Sequence, residues 1–342
     1  MTNKFLSKLL MLTACLTVCL GFAFLLTPKK MPTSVLAEGN ENKITQANLA
    51  LTESLVFKYY ATVNEALISE NAAIAMRFTM NDTNGDPYTT VVKDFEKDGK
   101  QYVFALKEIA PQLIAEEIDA TLVLLDETNE IVEELASYND YSVKKYLLAL
   151  LKEDPSDELK LLIHATLNYG AASQVYQGNE NTITKGLTFD TTLPALEERS
   201  TNTTNQVNIP IYDKTQTQFV GMGVWFDYVI IPYVYAYIAD EDLGTVKFQL
   251  SFKNTSFLIN PILIEKGENG GIYRIDLNAL NPIDFAKSQS VKLIISSTKQ
   301  QIPVSLNDYC YDVYYGDNSE EKDRILALAL YQYGAAAVAY KG

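Results

Sequence analysis

The sequence predicts an α+β protein made of two tandem copies of a mainly antiparallel β-sandwich module, each closed by two C-terminal helices. Three observations lead to this prediction. The phrase N-Y-G-A-A-S-Q-V-Y-Q-G (168–178) returns at the end of the chain as Q-Y-G-A-A-A-V-A-Y-K-G (332–342). Short runs of branched and aromatic residues, divided by turn signals, precede each copy of the phrase. A helical pattern follows these runs in both halves.

The internal repeat extends upstream of this phrase. N-D-Y at 139–141 matches N-D-Y at 307–309, and further matches begin at Gly99 and Gly270. The order is kept while the offset changes, which is typical of a tandem duplication with short loop deletions. At an offset of 164 residues, one set of positions matches the other: Leu162, Ala165, Tyr169, Gly170, Ala171, Ala172, Tyr176 and Gly178 against Leu326, Ala329, Tyr333, Gly334, Ala335, Ala336, Tyr340 and Gly342.

The domain boundaries follow from the repeat and from local composition. The stretch E-R-S-T-N-T-T-N-Q (198–206) is polar and has no large apolar residue, which is typical of a linker. We predict four segments: a signal peptide at 1–37, module 1 at 38–180, a polar linker at 181–206 and module 2 at 207–342.

The N-terminal segment predicts export. Lys4 and Lys8 precede an uncharged apolar run at 9–26. Ala37 is a small residue at the position that a signal peptidase recognises before its cleavage site. We expect cleavage after Ala37 and an extracellular or cell-surface location. Two alternatives stay open, because the run is long enough to remain as a membrane anchor and L-T-A-C at 12–15 resembles a lipobox.

The net charge of the chain and its number of cysteines restrict its possible partners and its means of stabilisation. The chain carries a net charge of −15, which disfavours binding to nucleic acid and to anionic membrane surfaces. Membrane contact is therefore expected only through an uncleaved N-terminal segment. Cys310 is the only cysteine outside that segment, so we expect no internal disulfide framework.

Module 1 shows the expected order of elements most clearly. Its first helix is predicted at about 142–152, with Asp140 or Ser142 as the cap. Its second helix is predicted to begin at D-P-S-D, with Asp154 as the cap and Pro155 at the first helical position. The predicted strands are 54–63, 73–80, 88–95, 101–108, 118–126 and 131–138.

The repeated phrase is interpreted as a packing motif. A glycine in a helix interior costs about 1 kcal/mol relative to alanine, yet both copies keep one beside small residues. We expect these small residues to let the helix lie close against a sheet, with the tyrosines covering the edges. A ligand-stacking tyrosine pair is the alternative. The motif residues are Tyr169, Gly170, Ala171 and Tyr176, with Tyr333, Gly334, Ala335 and Tyr340.

The sequence offers no convincing pair of nucleophile and general base. We therefore predict no catalytic residue and no cofactor. His164, the only histidine, aligns with Leu328 of the second copy. Cys310 aligns with Ser142 at the start of a helix, and module 2 has no histidine to act as its base.

We also predict no metal site. Asp82, Asn84 and Asp86 have the spacing of a calcium loop, but Pro87 and Lys93 stand where glycine and glutamate are required. A hydrolase that uses two carboxylates is the least favoured alternative, because no pair of acids is shared by the two copies.

Carbohydrate binding is a more specific alternative. The chain has 22 tyrosines, and V-W-F-D-Y at 224–228 concentrates aromatic rings that could stack on sugar faces if exposed. We name Trp225 and Tyr228 as candidate ligand-binding residues. The alternation around them also suits a buried strand pair, because sequence does not separate exposed aromatic residues from core ones.

The motifs as a set resemble those of tandem modules in exported surface proteins of anaerobic, gut-type Gram-positive bacteria. The motifs are Y-x-F or Y-x-I near a hairpin, A-P or N-P after it, N-D-Y before a helix, and L-x-x-A-x-x-x-Y-G-A-A-x-x-x-Y at the end. The resemblance covers 45–342 and implies architecture and location, with no catalytic residues to carry over. We expect a non-enzymatic protein of interaction or scaffolding at the cell envelope, whose partner is a glycan, a cell-wall polymer or a surface protein.

Overall fold

The computed structural model describes residues 41–51, 55–68, 72–82, 85–107, 109–177, 186–196, 215–226, 229–253, 255–287, 289–294, 299–317 and 319–341. The described residues between 41 and 341 belong to one compact unit. The predicted signal peptide at 1–37, the 198–206 part of the predicted linker and Tyr228 lie outside the described residues.

The described chain is an α+β protein with four antiparallel sheets and four α-helices, as the sequence predicts at that level. In the first half, sheet 1 has the strand order β1-β2-β6-β5 and sheet 2 the order β4-β3-β7-β8. The strands are β1 (Lys43–Ala50), β2 (Val56–Thr62), β3 (Ala73–Asn81), β4 (Pro87–Val92), β5 (Phe95–Asp98), β6 (Gln101–Leu106), β7 (Ile118–Leu125) and β8 (Ile131–Tyr141).

The second half repeats this strand order. Sheet 3 runs β9-β10-β14-β13 and sheet 4 runs β12-β11-β15-β16. The strands are β9 (Gln218–Phe226), β10 (Ile230–Ala239), β11 (Lys247–Phe252), β12 (Thr255–Ile259), β13 (Ile262–Lys266), β14 (Gly270–Asp276), β15 (Gln289–Ile294) and β16 (Lys299–Val304). Two helices close each half: α1 (Val143–Lys152) and α2 (Asp157–Tyr176), then α3 (Leu306–Tyr315) and α4 (Glu321–Lys341).

Each half buries side chains between its two sheets. In the first half the rings of Tyr59 and Phe78 pack with centroids 5.0 Å apart. In the second half Phe219 and Phe248 face each other across the sheets, with centroids 6.3 Å apart. Burial of these inward residues is the main favourable term that holds each pair of sheets together.

The helix caps decide between the two candidates for the first helix and correct the prediction for the second, in which Pro155 precedes the cap and is not the first helical residue. Ser142 caps α1, because its Oγ accepts a hydrogen bond from the amide of Lys145 at 3.1 Å. The prediction that Asp154 caps α2 is wrong. Ser156 does so, with its Oγ accepting from the amide of Leu159 at 3.3 Å, and Asp154 instead pairs with Lys160 at 2.8 Å.

The N-D-Y match between the two copies is also wrong. Ser305 caps α3 by accepting from the amide of Asp308 at 3.0 Å, so Ser305 is the counterpart of Ser142. Residues 139–141 therefore end β8, whereas 307–309 lie in the first turn of α3. Cys310 consequently lies inside α3 and is buried, and it does not stand at a helix start.

The two long helices α2 and α4 pack against each other through the repeated phrase. The rings of Tyr169 and Tyr333 stack with centroids 5.4 Å apart and planes 22° apart. One position earlier, Nδ2 of Asn168 donates to Oε1 of Gln332 at 3.1 Å. Equivalent residues of the two copies thus contact each other, which is the geometry of a twofold interface.

The glycines of the phrase permit a close approach to a 3₁₀ turn of their own half. A Cβ on Gly170 would lie 2.2 Å from Cδ1 of Ile114, and one on Gly334 would lie 2.7 Å from Cδ2 of Phe285. The close partner is therefore this turn, and not a sheet as the sequence analysis expects. Ala171 is buried, Ala335 is exposed, and Tyr176 and Tyr340 are half-buried.

Candidate functional site

One face of sheet 3 carries the aromatic residues that the sequence analysis singles out. Alternation along β9 directs Gly221, Gly223 and Trp225 to the face turned away from the core. On the neighbouring strand β10, Tyr233 and Tyr235 lie directly opposite Gly223 and Gly221. We call this surface the aromatic face.

The two glycines let the tyrosine rings lie down on the sheet. A Cβ on Gly223 would be 2.5 Å from the ring and hydroxyl atoms of Tyr233, and one on Gly221 would be 3.5 Å from the ring of Tyr235. A glycine inside a strand often marks such a close approach. Gly223 is therefore required for the flat placement of Tyr233.

A single arginine fixes the tryptophan and a tyrosine together. Cζ of Arg274 lies 5.7 Å from the ring centroid of Trp225 and 5.6 Å from that of Tyr233. Both distances fall within the range of cation–π attraction. Nε and Nη2 of Arg274 donate to the two carboxylate oxygens of Asp276 at 2.7 and 3.2 Å, which holds the guanidinium in place.

Trp225 remains open to solvent despite these contacts. Its side chain is 52% exposed, so the interpretation of this strand pair as wholly buried does not apply to the tryptophan. An open depression of about 470 Å³ lies beside it and is lined by Tyr176, Gln177, Val224, Trp225, Phe226, Tyr233 and Lys322. Tyr233, Arg274 and Lys322 are further residues of the face that the aromatic cluster in the sequence does not indicate. A G-x-G-x-W strand beside a Y-x-Y strand is the signal that could have indicated the face.

The depression offers hydrogen-bond donors, and each cation beside it is paired with a carboxylate. Burial and a hydrogen bond with Tyr235 raise the pKa of Tyr233 to about 12, so its hydroxyl keeps its proton at neutral pH. A hydrogen bond with Glu320, 3.0 Å away, raises the pKa of Lys322. The two cations at the site, Arg274 and Lys322, are each paired with a carboxylate.

Among the described residues of the first half, the corresponding sheet positions do not carry this set of side chains. Ala61 lies opposite Tyr102 as Ala236 lies opposite Tyr273, which aligns the two sheets residue by residue. The positions of Trp225, Gly223, Tyr233 and Arg274 are then taken by Ala50, Asn48, Lys58 and Val103.

The single histidine has a structural partner. Nδ1 of His164 lies 2.7 Å from Oδ2 of Asp190, which belongs to the segment 186–196 that runs over α2. Burial favours a higher pKa for Asp190, but the hydroxyl and amide of Thr192, together with His164, hold that pKa below its usual range. The amide of Asp190 also donates to Oδ1 of Asn168 at 3.0 Å. The pair therefore fastens this segment to the helix.

The remaining candidates for chemistry have packing or turn roles. Burial strongly raises the pKa of the Cys310 thiol, which keeps it protonated and unreactive. Oδ1 of Asp82 accepts from the amide of Asp86 at 2.9 Å, which closes a hairpin turn; Asn84 lies outside the described residues. The part of the chain that the structure describes contains no cluster of three or more residues able to ligate a metal.

No protein-family model matches the chain, and a search of curated proteins finds no significant relative. Within the described ranges, no helix is long and apolar enough to cross a bilayer.

Proposed function

We propose that this chain is a non-catalytic interaction protein of the cell envelope that binds carbohydrate on the aromatic face of sheet 3. The exposed ring of Trp225 carries this proposal. An exposed tryptophan that is held in a fixed orientation by Arg274 provides a preformed flat surface. Aromatic rings of this kind suit the C–H face of a pyranose, while polar tips nearby suit its hydroxyls.

Charge favours an uncharged glycan over an acidic one. The cations beside the depression are each neutralised by a carboxylate, and the chain as a whole is strongly acidic. A polyanion such as nucleic acid would be repelled over long range. A neutral saccharide instead gains stacking on Trp225 and hydrogen bonds from the Tyr233 hydroxyl, Gln177 and Lys322.

Binding without hydrolysis fits the surroundings of Trp225. Both carboxylate oxygens of Asp276 accept hydrogen bonds from Arg274, the residue that contacts Trp225 and Tyr233. A carboxylate whose two oxygens both accept hydrogen bonds from one guanidinium is held in place and is poorly positioned to act on a glycosidic bond. We therefore assign the face to recognition.

In this proposal the architecture is a tandem duplication of a β-sandwich module. Support comes from the equal strand order of the two halves and from the contact between equivalent residues of α2 and α4. Only the second module has kept, or gained, the aromatic face. The leader-like pattern at 1–37 supports export to the cell surface.

A retention experiment tests the proposal. Purified protein is incubated with cell-wall preparations and with insoluble polysaccharides, and the bound fraction is measured against concentration. We expect saturable retention on at least one polysaccharide and loss of retention in Trp225→Ala. Phe95→Ala removes an exposed aromatic ring in the first half and should bind as the wild type does. Equal retention of Trp225→Ala and wild type, or no retention on any polymer, would overturn the proposal.

A further inference from the structure

A second surface of the protein is independent of the aromatic face. It is the outer edge formed by β12 and β13, which are the terminal strands of sheets 4 and 3. Asn260 and Pro261 join these two strands directly. We call residues 255–266 the open edge.

The open edge is apolar and solvent-exposed. Leu258 is 63% exposed and Leu263 is 49% exposed, and Phe257, Ile262 and Ile264 are also exposed. The sequence from Thr255 to Ile264 contains no charged residue. Among the described residues no strand pairs with the outer side of β12 or β13. Natural sheets usually protect such an edge with charged residues, because free backbone groups and apolar side chains invite pairing with another chain.

The first half protects the corresponding edge, and the match between the two edges is close. In each half, a hydrogen bond between two hydroxyls joins the edge strand to its neighbour. Thr79 of β3 contacts Thr89 of β4, and Ser251 of β11 contacts Ser256 of β12, both at 3.1 Å. The registers then align Leu258 with Val91.

The same alignment shows where the two edges differ in charge. In the second half, Ile262 pairs with Arg274 and Leu263 with Tyr273. At the equivalent positions of the first half, Glu96 pairs with Val103 and Lys97 with Tyr102. The first half therefore has a charged pair where the second half has two apolar side chains. Only the first half therefore has this charged pair at its edge.

The open edge is complementary to itself. The sequence from Leu258 to Leu263 is L-I-N-P-I-L, in which the apolar residues follow the same order in both chain directions. We propose that a second copy of this chain docks here, with the two open edges running antiparallel about a twofold axis between Asn260 and Pro261. Leu258 of one copy then lies opposite Leu263 of the other. Proline lacks an amide hydrogen and is tolerated at an edge strand, and in this dimer the contact at the axis does not depend on a hydrogen bond from Pro261.

The charge of the chain favours this occupant. Two copies that each carry −15 repel each other over most of their surfaces. Residues 255–264 of the open edge carry no charge, so two copies can approach there, and a twofold contact uses one self-complementary patch on both.

Sedimentation equilibrium of the Gly39–Gly342 unit tests the proposal, and the register allows a designed rescue. We expect the wild type to dimerise in the micromolar range, and Leu258→Lys to weaken the dimer by ~tenfold or more, because each dimer then contains two buried lysines. Val91→Lys, the matched change on the first half, should leave the dimer unchanged. Combining Leu258→Lys with Leu263→Glu should restore it, because opposite charges then face each other twice.

Three results would overturn the proposal. These are a wild type that remains monomeric at high concentration, an equal effect of Leu258→Lys and Val91→Lys, or no rescue in the charge-paired variant. If the wild type is monomeric, a strand of a different protein becomes the candidate partner of the open edge. Circular dichroism of each variant checks that the fold is kept, which we expect because both leucines are exposed.

Discussion

The ring of Tyr169 stacks on the ring of Tyr333, and these two residues occupy the same position in the two copies of the repeat. The phrase that recurs in the sequence is therefore the contact between its own two copies. In a twofold interface, only a residue near the axis can touch its own equivalent. The tyrosine stack and the Asn168–Gln332 hydrogen bond mark that axis within a single chain.

The hydroxyl of Tyr333 gives the first prediction. It donates to the carbonyl of Leu51 at 3.0 Å in a buried setting, and burial raises its pKa so that the proton is retained. Tyr333→Phe should lower the free energy of unfolding by about 1 kcal/mol. Tyr333→Ala, which also removes the stack, should lower it by ~3–5 kcal/mol.

Urea denaturation measures both changes. Tyr340→Phe, at a half-buried tyrosine near the end of the same helix, is the control and should change the free energy of unfolding by less than ~0.5 kcal/mol. A Tyr333→Ala variant as stable as Tyr340→Phe would show that the helix contact contributes nothing.

The glycine of the phrase gives the second prediction. Alanine at position 170 gains about 1 kcal/mol of helix propensity, but its Cβ would overlap Ile114 at 2.2 Å and approach the carbonyl oxygen of Pro111 at 3.1 Å. The overlap should outweigh the gain and make Gly170→Ala destabilising by ~1–3 kcal/mol.

A double-mutant cycle isolates this contact. Ile114→Ala removes the obstructing atoms, so Gly170→Ala should cost less in that background than in the wild type. Additive effects of the two changes in thermal or urea unfolding would contradict the proposed close packing.

Asp284 gives a prediction for pH dependence. Its carboxylate is almost fully buried and contacts two lysines, Lys287 at 2.6 Å and Lys253 at 3.0 Å. Burial pushes its pKa up, but the hydrogen bonds from Lys287 and Lys253 outweigh burial and lower it. A depressed pKa stabilises the fold above the unfolded value of about 3.9, and this stabilisation is lost as the pH falls through the folded pKa.

The comparison of wild type with Asp284→Asn follows directly. The variant should be less stable at neutral pH, and the difference between the two should shrink below about pH 4. Stability curves against pH, measured by urea unfolding, check this. A difference that stays constant between neutral and acidic pH would mean that the ion pairs do not stabilise the fold.

Much of the fold could be predicted from local patterns. The strands rich in branched and aromatic residues, such as β3 and β7, lie where the sequence predicts them. The strand β1 (Lys43–Ala50) was not predicted, because it is an edge strand with three exposed polar residues and weak alternation. The cap at Ser156 and the true start of α3 depend on one side-chain hydrogen bond each, and neighbouring residues compete for that role.

The candidate site could be predicted only in part. The aromatic cluster at 224–228 indicates Trp225, but the exposure of Trp225 depends on which face of β9 meets the core. The partners of Gly170 and Tyr169 lie far away in sequence, so local patterns indicate a small-residue contact without saying what fills it. The flat placement of Tyr233 needs Gly223 directly opposite, and this register is set by strand pairing.

Fluorescence of the protein tests the central claim most directly. Trp225 is the only tryptophan in the chain, so its emission reports on the aromatic face alone. Titration with the soluble oligosaccharide of whichever polymer retains the protein should shift or change that emission saturably, and Tyr233→Ala should weaken the response. An emission spectrum that stays constant while the protein still binds the polymer would place the binding site elsewhere and contradict the account.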